Sequence, residues 1–237
     1  MPALRDIVVK LEFALLAAAL AVAGGAWAFV ELAETARDSQ SHVLDRRILL
    51  AFRSSGEGSP PIGPSWLPEA VRDVTSLGSA TVLVFITAAT VVYLLITRRR
   101  AAALFVFVAV AGGQILSSLL KLMIDRARPD IVPHLAEVQT ASFPSGHAML
   151  AAVTYLTLGA LAARIAPGRA VSAYILGLAI LVTLAVGISR VYLGVHWPSD
   201  VLAGWCAGAA WAMLCWLIAQ WVLRRGGRTA ETDDPAP

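Results

Sequence analysis

Two histidines and three cations carry the chemical signal in this sequence, each standing near the end of an apolar run. His196 and Asp200 are one helical turn apart in His196-Trp197-Pro198-Ser199-Asp200, and His147 closes Phe143-Pro144-Ser145-Gly146-His147. The cations are Lys121, Arg128 and Arg190. An Asp one turn from a His can accept from one imidazole nitrogen, fix the tautomer and leave the other nitrogen free to attack. His196 therefore reads as a nucleophile and Asp200 as its orienter. His147 then protonates the departing oxygen, a role suited to an ordinary pKa of about 6.5. Three like charges in a low-dielectric setting repel one another unless an anion joins them. Two planar guanidinium forks and one mobile ammonium match the oxygens of a tetrahedral phosphate.

Pro144-Ser145-Gly146-His147 opens the fourth apolar run. Glycine there permits close backbone approach, and a helix start leaves N–H groups without intrahelical acceptors, so the segment reads as an anion cradle. Each feature has a plainer use. A single cation at a span end is usually a snorkelling residue, and a lone Pro-Ser-Gly-His is a turn with an N-cap. His147, His196 and Asp200 could instead ligate a metal, although the neighbouring cations would oppose one. It is the conjunction that carries the phosphate reading. His42 and His134 lack such company and read as surface residues, while Asp125 and Arg126 read as local loop partners.

Six apolar runs must position these groups: 13–30, 79–97, 101–120, 149–163, 171–188 and 201–223, the fourth starting nearer Gly146. About 20 residues of helix cross a bilayer core. Across the 237 residues, 58% are hydrophobic and 15% charged, far from the soluble average. The expected fold is all-α, a polytopic membrane helix bundle with six transmembrane helices and short interfacial helices. Alternating spans place the ends bearing Lys121 through Arg128, Ser145 through His147, Ser189-Arg190 and His196 through Asp200 on one side. Basic clusters at Arg5 and Lys10, Arg98-Arg99-Arg100, Arg164 and Arg169, and Arg224, Arg225 and Arg228 fall on the other, which should be cytoplasmic. Arg37, Arg46, Arg47, Arg53 and Arg72 sit on the outer side among acidic neighbours. The expected location is a bacterial inner (plasma) membrane, with both termini cytoplasmic and the site facing the periplasm or exterior. Ala26-Trp27-Ala28 could be a signal cleavage site, but the apolar run continues past it and reads better as an uncleaved anchor.

One membrane domain is expected over 1–225, with an outer segment at 31–78, the chemical motifs at 121–200 and a disordered cytoplasmic tail at 226–237. Within the outer segment, 41–52 has helical spacing and reads as a helix in the interface. Ser59-Pro60-Pro61-Ile62-Gly63-Pro64 breaks it. A second short helix is expected over 66–76, with Pro68 in its first turn and Trp66 at headgroup depth. Either helix could serve as packing or as a rim where lipid enters. Cys206 and Cys215 fall on opposite sides of one helix, so no disulfide joins them. The net charge of +3 reflects topology, with no basic stripe for nucleic acid. The expected partners are the bilayer and a lipid phosphate substrate, with no nucleic acid and no obligate protein partner.

In this order the residues resemble the type 2 phosphatidic acid phosphatases (PAP2), a family that shares its site with vanadium haloperoxidases. Lys121 with Arg128-Pro129, then Pro144-Ser145-Gly146-His147, then Ser189-Arg190 with His196 and Asp200 reproduce its three-part pattern. The resemblance implies a phosphohistidine on His196, oriented by Asp200, with His147 as general acid. It implies phosphate binding by Lys121, Arg128, Ser145, Gly146 and Arg190, and chemistry without a metal or other cofactor. The substrate class it implies is a lipid phosphate or diphosphate, such as undecaprenyl diphosphate, phosphatidylglycerol phosphate or phosphatidic acid. An isoprenoid diphosphate is favoured slightly, with Arg126, Arg46 or Arg47 as extra donors. Two other uses fit the same cluster: a non-catalytic anionic-lipid transporter or binding protein, which would not need His196 paired with Asp200, and a lipid phosphotransferase.

Overall fold

The computed structural model describes residues 2–37, 43–137 and 140–231, with side chains over 12–37, 43–137 and 140–222. His42 and 232–237 lie outside the described residues. Among those described are eight helices and no strand: α1 (Pro2–Arg37), α2 (Val43–Ala51), α3 (Leu67–Ser76), α4 (Ala80–Ile96), α5 (Arg100–Met123), α6 (Gly146–Arg164), α7 (Arg169–Tyr192) and α8 (Pro198–Glu231). Hydrocarbon offers the backbone no hydrogen-bond partners, which is why apolar runs of this length become helices. Among the described residues five helices are long and apolar enough to cross a membrane, or six if α3 and α4, bent by 43°, count as one span. The protein is a multi-pass membrane protein.

Burial ranks the spans. Half of the apolar window of α6 is buried against 6% for that of α1, so α6 is the central helix and α1 flanks it. Small residues set the spacing around α6, as they commonly do where membrane helices meet. A Cβ on Gly204 of α8 would lie 2.8 Å from Ser145 O, and one on Gly208 would lie 2.5 Å from Met149 O. These glycines let the first turns of α6 and α8 touch, and the Ser145 amide donates to Asp200 O at 3.0 Å.

The short outer helices are packed into the molecule. Leu49 of α2 is wholly buried with Val132, Ala148, Val191, Trp197 and Val201, and Asp45, one turn earlier on the same face, is buried too. α3 is held by Arg72, whose Nε donates to Leu135 O at 2.8 Å. At the α3–α4 bend a Cβ on Gly78 would stand 3.3 Å from His147 Cβ. Of the expected disordered tail, 226–231 are helical, because α8 runs on to Glu231; extending an existing helix adds one hydrogen bond per residue fixed. Cys206 and Cys215 are both free.

Candidate active site

The turn from α7 to α8 brings His196 and Asp200 together. Gly194 has φ +75°, and a Cβ there would lie 2.8 Å from Val132 Cγ2 and 2.9 Å from Pro133 O, so glycine serves both conformation and space. Pro198 then starts α8, and Asp200 in its first turn reaches back to accept the Trp197 amide at 2.9 Å, half of a capping box. The same oxygen, Oδ2, accepts the Ser142 hydroxyl at 2.5 Å and lies 3.4 Å from His196 Nδ1. On the other edge of the ring, Nε2 is 3.2 Å from Arg128 Nη1. Guanidinium can only donate, so this contact assigns Nε2 as acceptor and places the proton on Nδ1, facing Asp200. Burial above all, with the charges of Arg128 and Arg190, pulls the His196 pKa down to about 4 against the opposing pull of Asp200. The ring is therefore neutral at physiological pH, with its lone pair on Nε2.

Around that lone pair stand the expected anion-binding groups. Arg128 Nη1 donates to Val195 O at 2.5 Å and its Nε to Thr140 O at 2.9 Å, while Lys121 Nζ donates to Ala141 O at 2.8 Å. Two cations from the end of α5 and the loop beyond it are thus drawn to one stretch of main chain. Lys121 Cε also comes within 3.4 Å of where a Gly146 Cβ would be, placing the ammonium stem over the start of α6. Arg190 is 4% exposed; its Nη1 donates to Thr75 Oγ1 at 3.3 Å, and its buried Nε has no partner. The Ser145 hydroxyl is likewise buried without a partner and makes no cap bond, although Ser145 is the N-cap of α6. The first amides of α6, those of Gly146 and His147 among them, have no intrahelical acceptors. His147 lies within electrostatic range of Arg190, His196, Lys121 and Arg128. All eight residues singled out by the sequence come to one end of the bundle.

Arg126 corrects an expectation. It is not a local partner of Asp125. Its buried guanidinium donates from Nη1 to Asp200 Oδ1 at 2.5 Å and to Ser199 Oγ at 2.7 Å, and from Nη2 to Asp45 Oδ2 at 2.8 Å. Asp45 Oδ1 accepts the Ser199 amide at 2.8 Å, and Asp45 Oδ2 accepts its hydroxyl at 2.5 Å. Arg46, another suggested donor, pairs with Glu57 at the surface. His134 is exposed as expected, its Nε2 2.6 Å from Pro129 O. Asp45, Ser142, Ser199 and Thr75 were not singled out by the sequence reading. For Asp45 the one available signal was its place on the apolar stripe of α2, one turn before Leu49. Among the described residues no group of three or more His, Cys, Asp or Glu side chains is placed to hold a metal ion.

Comparisons with known proteins agree with this geometry. The family model of the PAP2 superfamily matches residues 102–224. Phosphatidylglycerophosphatase B of Bacillus subtilis is 34% identical over 146 residues, 60% of this chain and 70% of that one. Lipid A 1-phosphatase of Rhizobium etli is 31% identical over 188 residues, 67% of this chain and 75% of that one. The crystal structure of a transmembrane PAP2 type phosphatidylglycerolphosphate phosphatase from Bacillus subtilis superimposes with a TM-score of 0.76 at 27% identity, covering 85% of this chain and 96% of that one. This multi-pass membrane protein belongs to the PAP2 superfamily, a phosphate-ester hydrolase whose homologues are membrane lipid phosphatases.

Proposed function

We propose that the chain hydrolyses a lipid phosphate through a phosphohistidine on His196. The observation that carries this reading is the orientation of one buried imidazole, with Nδ1 toward Asp200 and Nε2 toward Arg128, beside the partnerless Ser145 hydroxyl and Arg190 Nε. Phosphate oxygens would take the donors of Lys121, Arg128, Ser145, Arg190 and the Gly146 amide, which offset the charge of a loose phosphoryl transition state. Nε2 attacks phosphorus as the bond to the lipid oxygen breaks, and His147 gives that oxygen its proton. Asp200 balances the imidazolium that forms. Water then attacks the phosphorus of phosphohistidine, His147 takes a proton from it, and inorganic phosphate leaves with the bonding pair back on Nε2.

A phosphate monoester, with phosphatidylglycerol phosphate first, is the favoured substrate. It is what the Bacillus subtilis relative is named for, and of the three donors invoked for a diphosphate Arg126 and Arg46 are engaged elsewhere while Arg47 is exposed. The basic clusters at the opposite span ends support a bacterial inner membrane location with both termini cytoplasmic and the site at the outer face. Phosphate release from phosphatidylglycerol phosphate, phosphatidic acid and undecaprenyl diphosphate by detergent-purified protein in EDTA tests the proposal. Release that His196→Ala abolishes is the expected result. Binding of the lipids without release would overturn it in favour of a non-catalytic binder, and release that survives His196→Ala would remove the nucleophile.

A further inference from the structure

Asp45 lies on the outer helix α2 and has no part in the mechanism above, yet two bonds separate it from the nucleophile's orienter. We propose that Asp45 is a positioning residue for His196, acting through Arg126 and the first turn of α8. The proposal rests on the reading of His196 as the nucleophile.

The geometry gives Asp45 two tasks. The first is mechanical. The Ser199 amide is among the first of α8 and has no acceptor within the helix. Asp45 Oδ1 supplies one from a residue 154 positions away, and Oδ2 holds the Ser199 hydroxyl as well. A carboxylate on a distant helix thus caps α8 at the residue preceding Asp200. The second task is electrostatic. Arg126 grips Asp200 Oδ1, and with no other carboxylate nearby it would cancel the charge that Asp200 presents to the imidazole. Asp45 shares the same guanidinium, so Arg126 does not neutralise Asp200 alone and more of the Asp200 charge is left to face His196. That charge matters when Nε2 takes the phosphoryl group and the ring becomes an imidazolium.

Packing alone does not account for these charges. Assembling buried ions is costly, and apolar residues of like volume generally stabilise as well or better. Asp45 is 7% exposed, Arg126 7% and Asp200 0%, so the cluster meets that cost in full.

The test is the turnover of Asp45→Asn, which keeps the shape and removes the charge, against wild type whose release His196→Ala abolishes. That control fails by itself if the reading of His196 is wrong. The expected result is a kcat lowered by about ten- to a hundredfold with KM changed by less than about threefold, because a small misplacement far from the substrate acts on chemistry more than on binding. Acid-quenched single turnovers should show phosphohistidine forming more slowly by the same factor. Asp45→Glu should fall between Asn and wild type, and it decides the matter by the same kcat reading if the Asn variant does not fold. In an Arg126→Gln background, Asp45→Asn should cost little more. Wild-type kcat in either Asp45 variant, or a loss that adds fully to that of Arg126→Gln, would overturn the proposal.

Discussion

The two edges of the His196 ring face opposite kinds of surroundings. On the Nε2 side, Lys121, Arg128 and Arg190 meet neutral acceptors, the carbonyls of Ala141, Thr140 and Val195 and the hydroxyl of Thr75, while Arg190 Nε and Ser145 Oγ have no partner. On the Nδ1 side, Asp200, Arg126 and Asp45 answer one another as ions, with Ser142 and Ser199 filling further positions. Positive charge is left over where a phosphate would bind and is matched where the fold must hold. Charge balance, more than residue type, separates the use of Arg126 from that of Arg190.

Removing one arginine from each side should separate these uses most widely. Arg126→Ala strands two buried carboxylates and should cost about 3–5 kcal/mol of stability as well as activity. Arg190→Ala removes a cation held by neutral groups; phosphate release should fall by about a hundred- to a thousandfold, the scale of a lost oxyanion donor, with the midpoint of thermal unfolding unchanged or raised. Equal losses of stability in the two variants, measured by thermal unfolding in detergent, would erase the distinction. Inorganic phosphate sharpens it further. At about a hundred times its Kd it should stabilise wild type by about 2.7 kcal/mol, and do so for Asp45→Asn but not for Arg190→Ala.

His196 belongs to both sides, and pH reports on the balance. Its pKa in the fold is about 4 against the ordinary 6.5, because burial and the neighbouring guanidinium groups outweigh Asp200. Between those values the unfolded chain binds a proton there that the native protein does not, so stability rises with pH across that window. The contribution is complete above about pH 6.5 and is lost as pH falls through about 4. Unfolding midpoints of wild type should therefore drop on acidification through this range more steeply than those of His196→Asn. Parallel profiles would show that the ring is not held neutral by the fold.

The Nε2 side and Asp200 were legible in the sequence and the rest of the Nδ1 side was not, for a physical reason. Groups that bind an anion must converge at span ends, where any charge is conspicuous, so Lys121, Arg128, His147, Arg190, His196 and Asp200 stand out from apolar runs. The six spans were legible for the same reason, since a bilayer demands long apolar helices. Groups that serve the fold sit wherever packing allows. Asp45 and Thr75 lie in the outer segment, where charged and polar residues are ordinary, and nothing in their spacing says that α2 and α3 fold back onto the bundle. Arg126 was misread because a loop Asp-Arg pair usually neutralises itself locally, and here burial gave the guanidinium better partners. The close approach of α6 and α8 was equally hidden in Gly204 and Gly208. Gly208→Ala, whose Cβ would lie 2.5 Å from Met149 O and 2.8 Å from Ala152 Cβ, should cost about 1–3 kcal/mol as an overpacked contact. It should also lower release by shifting Asp200 relative to Ser145; undiminished stability would show that the helices part without penalty.

The smallest expected effect comes from the residue next to Asp45. Arg46 pairs with Glu57 across side chains that are 53% and 46% exposed, whereas the Asp45–Arg126 pair is 10% and 5% exposed. Both pairs join a residue of α2 to a partner outside that helix, so they differ chiefly in solvent. Water already solvates Arg46 and Glu57, and salt screens what attraction remains. Arg46→Gln should therefore change stability by less than about 1 kcal/mol, and that small change should vanish at high ionic strength. Phosphate release from a monophosphate lipid should be unaffected. A diphosphate lipid provides the discriminating arm, because Arg46 was one of the donors invoked for a second phosphate. If Arg46→Gln lowers turnover of the diphosphate alone, the arginine leaves Glu57 for the substrate, and the line between fold-serving and ligand-serving charges moves outward to the surface of α2. Equal turnover of both lipids keeps that line where the burial places it, between Asp45 and its neighbour.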